Sequence, residues 1–160
     1  MGEHVACVSQ RRQYYNADVA VTLKRDTEGV DWDALADLYH QTLGPDPADQ
    51  LARTWARSYA TVLAYEGETL VGAARAISDS EREALIVGVA VLPEYQRRGI
   101  GSVMMRDLTE RLQPCAIILT SAEDENVEFY RRLGFRSHKR AMVLGYSPDA
   151  LADEELGSGS

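Results

Sequence analysis

Cysteine is scarce in this 160-residue chain: Cys7 and Cys115 stand far apart, with no Cys-x-x-Cys and no histidine beside either. That excludes a disulfide framework and a zinc-finger pattern, and Cys115, inside an apolar run, reads as core. Only three histidines are present, His4, His40 and His138, and they share no ligand spacing, so no metal site is expected. Long apolar runs are missing too. The longest, Ala84 to Leu92, has nine residues, too short to cross a bilayer. Basic charge is in deficit, 17 Lys and Arg against 25 Asp and Glu for a net charge of −8, which argues against nucleic acid as a partner. The first residues lack the charged and apolar regions of a secretory signal, and Ala6 stands where a myristoylation motif needs Ser or Thr, so a cytoplasmic location is expected and no membrane partner.

What is present suffices for one domain, with 45% hydrophobic residues and enough chain to bury a core unaided. Charge is uneven: residues 1–94 carry a net −7, residues 95–140 a net +3 and residues 141–160 a net −4. A basic segment inside an acidic chain suggests a local anionic ligand, while the acidic first part would attract a cation.

Residues 1–17 show no period and read as an extension of uncertain order. Alternation from Val19 to Leu23 predicts a strand. Asp31 caps a helix from Trp32 to Leu43, ended by Gly44-Pro45, and a second helix opens at Asp46-Pro47 with Leu51, Trp55 and Tyr59 on one face. Thr61 to Tyr65 and Leu70 to Ile77 flank Glu66-Gly67-Glu68 as a hairpin. Ala84 to Leu92 follows as a strand apolar enough to be covered on both faces, then a helix over 99–113 and a buried strand over 115–120. Asn126 caps a short helix that stops at Leu133-Gly134, and Ala141 to Tyr146 suggests a last strand before an acidic, flexible tail over 147–160. The order β-α-α-β-β-β-α-β-α-β predicts a single α/β domain over 18–146, a mixed and mostly antiparallel sheet flanked by helices.

The informative stretch is Val89-Ala90-Val91-Leu92-Pro93-Glu94-Tyr95-Gln96-Arg97-Arg98-Gly99-Ile100-Gly101-Ser102. A strand that runs through two arginines into a glycine-opened helix offers free backbone N–H groups and a helix N-terminus to a phosphate, and guanidinium suits phosphate oxygens. A dinucleotide fingerprint would need a third glycine where Met104 stands, and a Walker loop needs Gly-Lys-Ser/Thr, which the chain lacks. The run Gln96-Arg97-Arg98-Gly99-Ile100-Gly101 resembles the Gln/Arg-x-x-Gly-x-Gly/Ala signature of the GNAT superfamily of acetyl-CoA-dependent N-acetyltransferases. Asn126 to Phe135 resembles the same family's Asn-x-x-x-x-Tyr-x-x-x-Gly-Phe segment in order, with Tyr130, Gly134 and Phe135 at the family's spacing and Asn126 one position closer to the tyrosine.

The resemblance implies roles for these positions. Backbone of Val89, Ala90 and Val91 would meet the acetyl carbonyl and the pantetheine arm of acetyl-CoA, the cosubstrate. Arg97, Arg98, Gly99, Ile100, Gly101 and Ser102 would wrap its pyrophosphate, and Asn126 would contact the arm near the thioester. Tyr130 would protonate the departing thiolate, a task a weakly acidic phenol can perform. The Glu that several family members use as a base aligns here with Leu85, so Glu83, two residues earlier on the same strand face, and Asp79, at the end of the hairpin, are the candidate bases, acting through water. Trp32, Tyr39, Trp55 and Tyr59 border the acceptor side in this resemblance, with core packing as their main role. The implied reaction is acetyl transfer to a small-molecule primary amine, and the net −7 of residues 1–94 favours a cationic one. Acetylation of protein lysines or N-termini and a non-catalytic acyl-CoA sensor are the alternatives. A homodimer is left open.

Overall fold

The structure is a computed structural model that describes residues 12–16, 19–119 and 124–137. Strands β1 (Arg12–Asn16), β2 (Val19–Lys24), β3 (Ala60–Glu66), β4 (Thr69–Ser78), β5 (Glu83–Val91) and β6 (Ala116–Leu119) form one sheet in chain order. Neighbours are antiparallel except β5 and β6, which run parallel across the helix that joins them. Helices α1 (Trp32–Thr42) and α2 (Ala48–Ala56) cover one face, and α3 (Ile100–Arg111) covers the other. A short α4 (Val127–Arg132) follows β6. This is the expected mixed α/β architecture.

Local chemistry accounts for most boundaries. The Asp31 carboxylate accepts from the backbone N–H of Asp33 and Ala34 at 3.1 Å, which satisfies two otherwise unpaired donors at the start of α1. Leu35, Leu38 and Tyr39 form the buried face of α1 and meet Leu51 and Trp55 of α2.

Four expectations need correction. Residues 12–16, read as part of an unordered extension, pair with β2 from Arg12↔Leu23 to Asn16↔Val19; five residues are too few to show a period, and the pairing itself orders them. Tyr59 lies beyond the end of α2 and is 50% exposed, because the helix stops at Ala56 and the chain turns into β3. Neither β5 nor β6 is covered on both faces: Leu85 and Val87 are half-buried and Ile118 is 47% exposed, since α3 covers only one side of these strands. At Asn126 the side chain makes no capping hydrogen bond. The expected strand Ala141 to Tyr146 and the tail over 147–160 lie outside the described residues.

One buried charge cluster ties α3 to the sheet. Asp107 of α3 is 3% exposed and accepts from Arg25 Nε at 3.0 and 3.2 Å, from Arg25 Nη2, and in an ion pair with Arg111 Nη2 at 3.0 Å. Arg111 Nη2 also donates to the carbonyl of Thr61 in β3 at 2.7 Å, and the Thr61 hydroxyl donates to the carbonyl of Arg25 at 3.0 Å. The helix that starts at the glycine loop is thereby fixed to the centre of the sheet.

Candidate active site

A β-bulge on β5 marks the site. Ala73 pairs with Ala90 and Arg75 with Val87, so Ala74 alone stands opposite both Gly88 and Val89. The extra residue reverses the alternation of the strand: Ala84 and Ile86 before it face the α3 side, whereas Ala90 and Leu92 after it face α1 and α2. Such an insertion takes backbone groups out of the ladder and makes them available to a ligand. Gly88 adopts φ +65°, a left-handed conformation that a Cβ disfavours. It also has no room for one, because a Cβ there would lie 2.1 Å from the hydroxyl oxygen of Tyr39, which donates to the Gly88 carbonyl at 3.3 Å. Burial pushes the Tyr39 phenol pKa up, partly offset by the positive charge of Arg75, so the hydroxyl keeps the proton it donates.

From the bulge the chain runs through Val91 into the glycine loop. The Gln96 side-chain amide donates to the Val91 carbonyl at 3.0 Å and folds the loop back onto the strand end. Arg97 has φ +60° and Gly99 φ +84°, with Arg98 between them outside that region, and the loop leads directly into the N-terminus of α3. Arg97 is exposed and carries no ion pair among the described residues. Arg98 is held aside, its guanidinium 4.8 Å from the centre of the Tyr95 ring and 3.9 Å from Glu66. The side chain of Ile100 is in the core, 2% exposed, so only its backbone is available to a ligand. Ser102 lies in the first turn of α3, half-buried.

Gly101 serves packing as well as approach. A Cβ there would stand 3.2 Å from Phe129 Cζ and 3.8 Å from Val91 Cγ2, so the absent side chain is what lets α4 dock on α3 beside the end of β5. Tyr130, next to Phe129, packs on the same core, with its ring 5.0 Å from Phe129 and 5.9 Å from Phe135. Burial raises its pKa, and among the described residues its hydroxyl has no hydrogen-bond partner. Gly101→Val should therefore displace Phe129 and, with the loop holding acetyl-CoA as the family resemblance implies, lower acetyl-CoA affinity by about tenfold or more, which is about 1.4 kcal/mol or more. Isothermal calorimetry checks this, and unchanged affinity in a folded variant would contradict it.

The structure separates the two candidate bases. One carboxylate oxygen of Asp79 accepts from the backbone N–H of Glu81, Arg82 and Glu83 at 2.9, 2.9 and 3.1 Å, and these bonds hold its pKa below the usual carboxylate range. Asp79 shapes the β4–β5 turn and is a poor proton acceptor. Glu83 is exposed at the start of β5, two residues before Leu85, which stands in register between Ile77 of β4 and Ile118 of β6. Among the described residues no group of three or more His, Cys, Asp or Glu is placed to hold a metal, and no helix is long and apolar enough to cross a membrane.

Sequence reasoning missed the bulge and its support. The signal was Gly88, an isolated glycine within Leu85-Ile86-Val87-Gly88-Val89-Ala90-Val91, which marks a bulge or a close backbone approach.

A bulged strand leading into a glycine-opened helix N-terminus, with a short tyrosine-bearing helix docked beside it, defines an acyltransferase-type α/β domain. The sequence profile of the Acetyltransferase (GNAT) family matches residues 30–135, and the chain belongs to that family. It is 43% identical over 68 residues to an uncharacterized N-acetyltransferase of Porphyra purpurea, covering 41% of this chain and 39% of that protein. It is 36% identical over 61 residues to the glucosamine 6-phosphate N-acetyltransferase of Trypanosoma brucei brucei, covering 37% of this chain and 42% of that protein. The match thus spans about two fifths of the length of these curated relatives. Among solved structures, a GNAT-family acetyltransferase of Streptococcus pneumoniae superposes with a TM-score of 0.69 at 27% identity, over 80% of this chain and 98% of that one.

Proposed function

We propose that the chain transfers the acetyl group of acetyl-CoA, the cosubstrate of its family, to a primary amine on a small molecule. The observation that carries this reading is the continuity of the Gly88 bulge with the Arg97–Gly99 loop, which sets free strand amides beside an anion-binding turn. In this reading the loop from Arg97 to Ser102 holds the pyrophosphate, with Arg97 rather than Arg98 supplying the side-chain charge. Backbone of Val89, Ala90 and Val91 holds the pantetheine arm and polarises the thioester carbonyl. Asn126, exposed and free of a capping bond, reaches the arm near the thioester.

The amine nitrogen attacks the carbonyl carbon directly, the C–S bond breaks, and the sulfur takes the proton of Tyr130. Glu83 accepts the surplus amine proton through water, a task for which Asp79 is unsuited. The small size of the acceptor is supported by the relative named for glucosamine 6-phosphate. The absence of a carboxylate at Leu85 supports the second reading, an acyl-CoA sensor without turnover.

A panel of small amines and N-terminal or lysine-bearing peptides, assayed for CoA release, separates these readings: transfer to a small amine is expected, preference for peptide would replace it, and binding without release would favour the sensor. Activity should rise with pH as the amine deprotonates. The loss at high pH should fall above the ordinary phenol range near about 10, because burial keeps Tyr130 protonated. A decline centred near neutral pH would contradict this.

A further inference from the structure

Among the described residues three arginines are withdrawn from solvent, Arg25, Arg75 and Arg111. Arg25 and Arg111 share the buried carboxylate of Asp107. Arg75, in the middle of β4, has no ion pair among the described residues, and its polar contacts are two hydroxyls, that of Ser58 at 3.4 Å and that of Tyr39. A partly desolvated guanidinium without a counter-charge is costly unless an anion completes it.

Its position decides which anion that is. Arg75 pairs with Val87, the residue just before the bulge, and shares the α1/α2 face with Leu85 and Ile77. Its charge reaches the Tyr39 hydroxyl, which is bonded to the Gly88 carbonyl. Close to that hydroxyl lies the indole N–H of Trp55, a residue only 1% exposed, which interacts with the hydroxyl without a hydrogen bond of full geometry. The cluster therefore holds a guanidinium, a hydroxyl and an indole N–H; Asp46, the carboxylate whose charge reaches Tyr39, makes no ion pair with Arg75. Farther along the same face Ile77, Leu85 and Ile118 form an apolar row across three strands that offers no competing charge.

We propose that Arg75, with Ser58 beside it, binds an anionic group carried by the acceptor, so that the substrate is an amine that also bears a carboxylate or a phosphate. This deepens the transferase reading and rests on it for the word substrate. It reverses the preference for a cationic amine drawn from the net charge of residues 1–94: exposed charges are screened beyond about 8–10 Å, whereas a half-buried guanidinium acts at contact.

The test uses matched primary amines, one neutral, one with a terminal carboxylate and one with a phosphate monoester, measured by calorimetry on the CoA-loaded protein and separately in turnover. The wild type should bind one of the acidic amines about 10- to 100-fold more tightly than the neutral one, the carboxylate and phosphate arms showing which. Arg75→Gln should abolish that difference and Arg75→Lys reduce it, since Lys keeps the charge but not the fork, with affinity for CoA and for the neutral amine unchanged. Arg75-dependent binding of the acidic amine supports the subsite even where turnover is absent, an outcome that would sink only the transferase reading. Equal binding of all three amines by the wild type, or equal loss for all three in Arg75→Lys, would overturn it.

Discussion

Replacing Tyr130 by phenylalanine is expected to lower the rate of acetyl transfer by about 100-fold or more, while acetyl-CoA affinity changes by less than about twofold. The substitution keeps the ring, and the ring is what packs against Phe129 and Phe135, so α4 keeps its seat on Gly101. What disappears is a hydroxyl that makes no hydrogen bond among the described residues and whose pKa is raised by burial, so the proposed proton donor is removed without touching a structural contact. A sulfur leaving group that departs without a proton must build up its full charge in a partly apolar setting, which is unfavourable. Single-turnover measurement isolates the step, and an unchanged rate there would reassign Tyr130 to packing.

The second large effect is on stability. Asp107→Ala should destabilise the protein by about 3–5 kcal/mol, because it leaves Arg25 and Arg111 withdrawn from water without the carboxylate they share. Against a total of about 5–15 kcal/mol for an ordinary domain, that is a large fraction. Urea unfolding measures it, and a loss below about 1 kcal/mol would show that the pair is dispensable. Because α3 starts directly after Gly99, the same variant should weaken acetyl-CoA binding through the tilt of the helix, although it touches none of the proposed binding residues.

The parts of this account legible in the sequence are those fixed by local chemistry. Asp31 before an apolar-periodic run announces α1, and Gly99-Ile100-Gly101 announces the start of α3. Asn126 to Phe135 carried its family pattern, yet nothing in it showed that Gly101 and Phe129 need each other, since that contact joins residues 28 positions apart in chain order. Arg75 was invisible for the same reason. Its isolation from carboxylates depends on which face of β4 it occupies and on what α1 and α2 bring over that face. The basicity of a carboxylate was equally hidden: Asp79 and Glu83 look alike in the chain, and only the turn that takes up one oxygen of Asp79 tells them apart.

The central claim is that the bulge at Gly88 and the loop before α3 present acetyl-CoA to an amine for direct transfer. Its most direct test is to incubate the full chain with acetyl-CoA and a panel of neutral, cationic and acidic primary amines and count free CoA thiol against N-acetylated product. One thiol per acetylated amine, at a rate far above the amine-free control and greatest for an acidic amine, is the predicted result; tight acetyl-CoA binding with no thiol released above that control for any amine would contradict it.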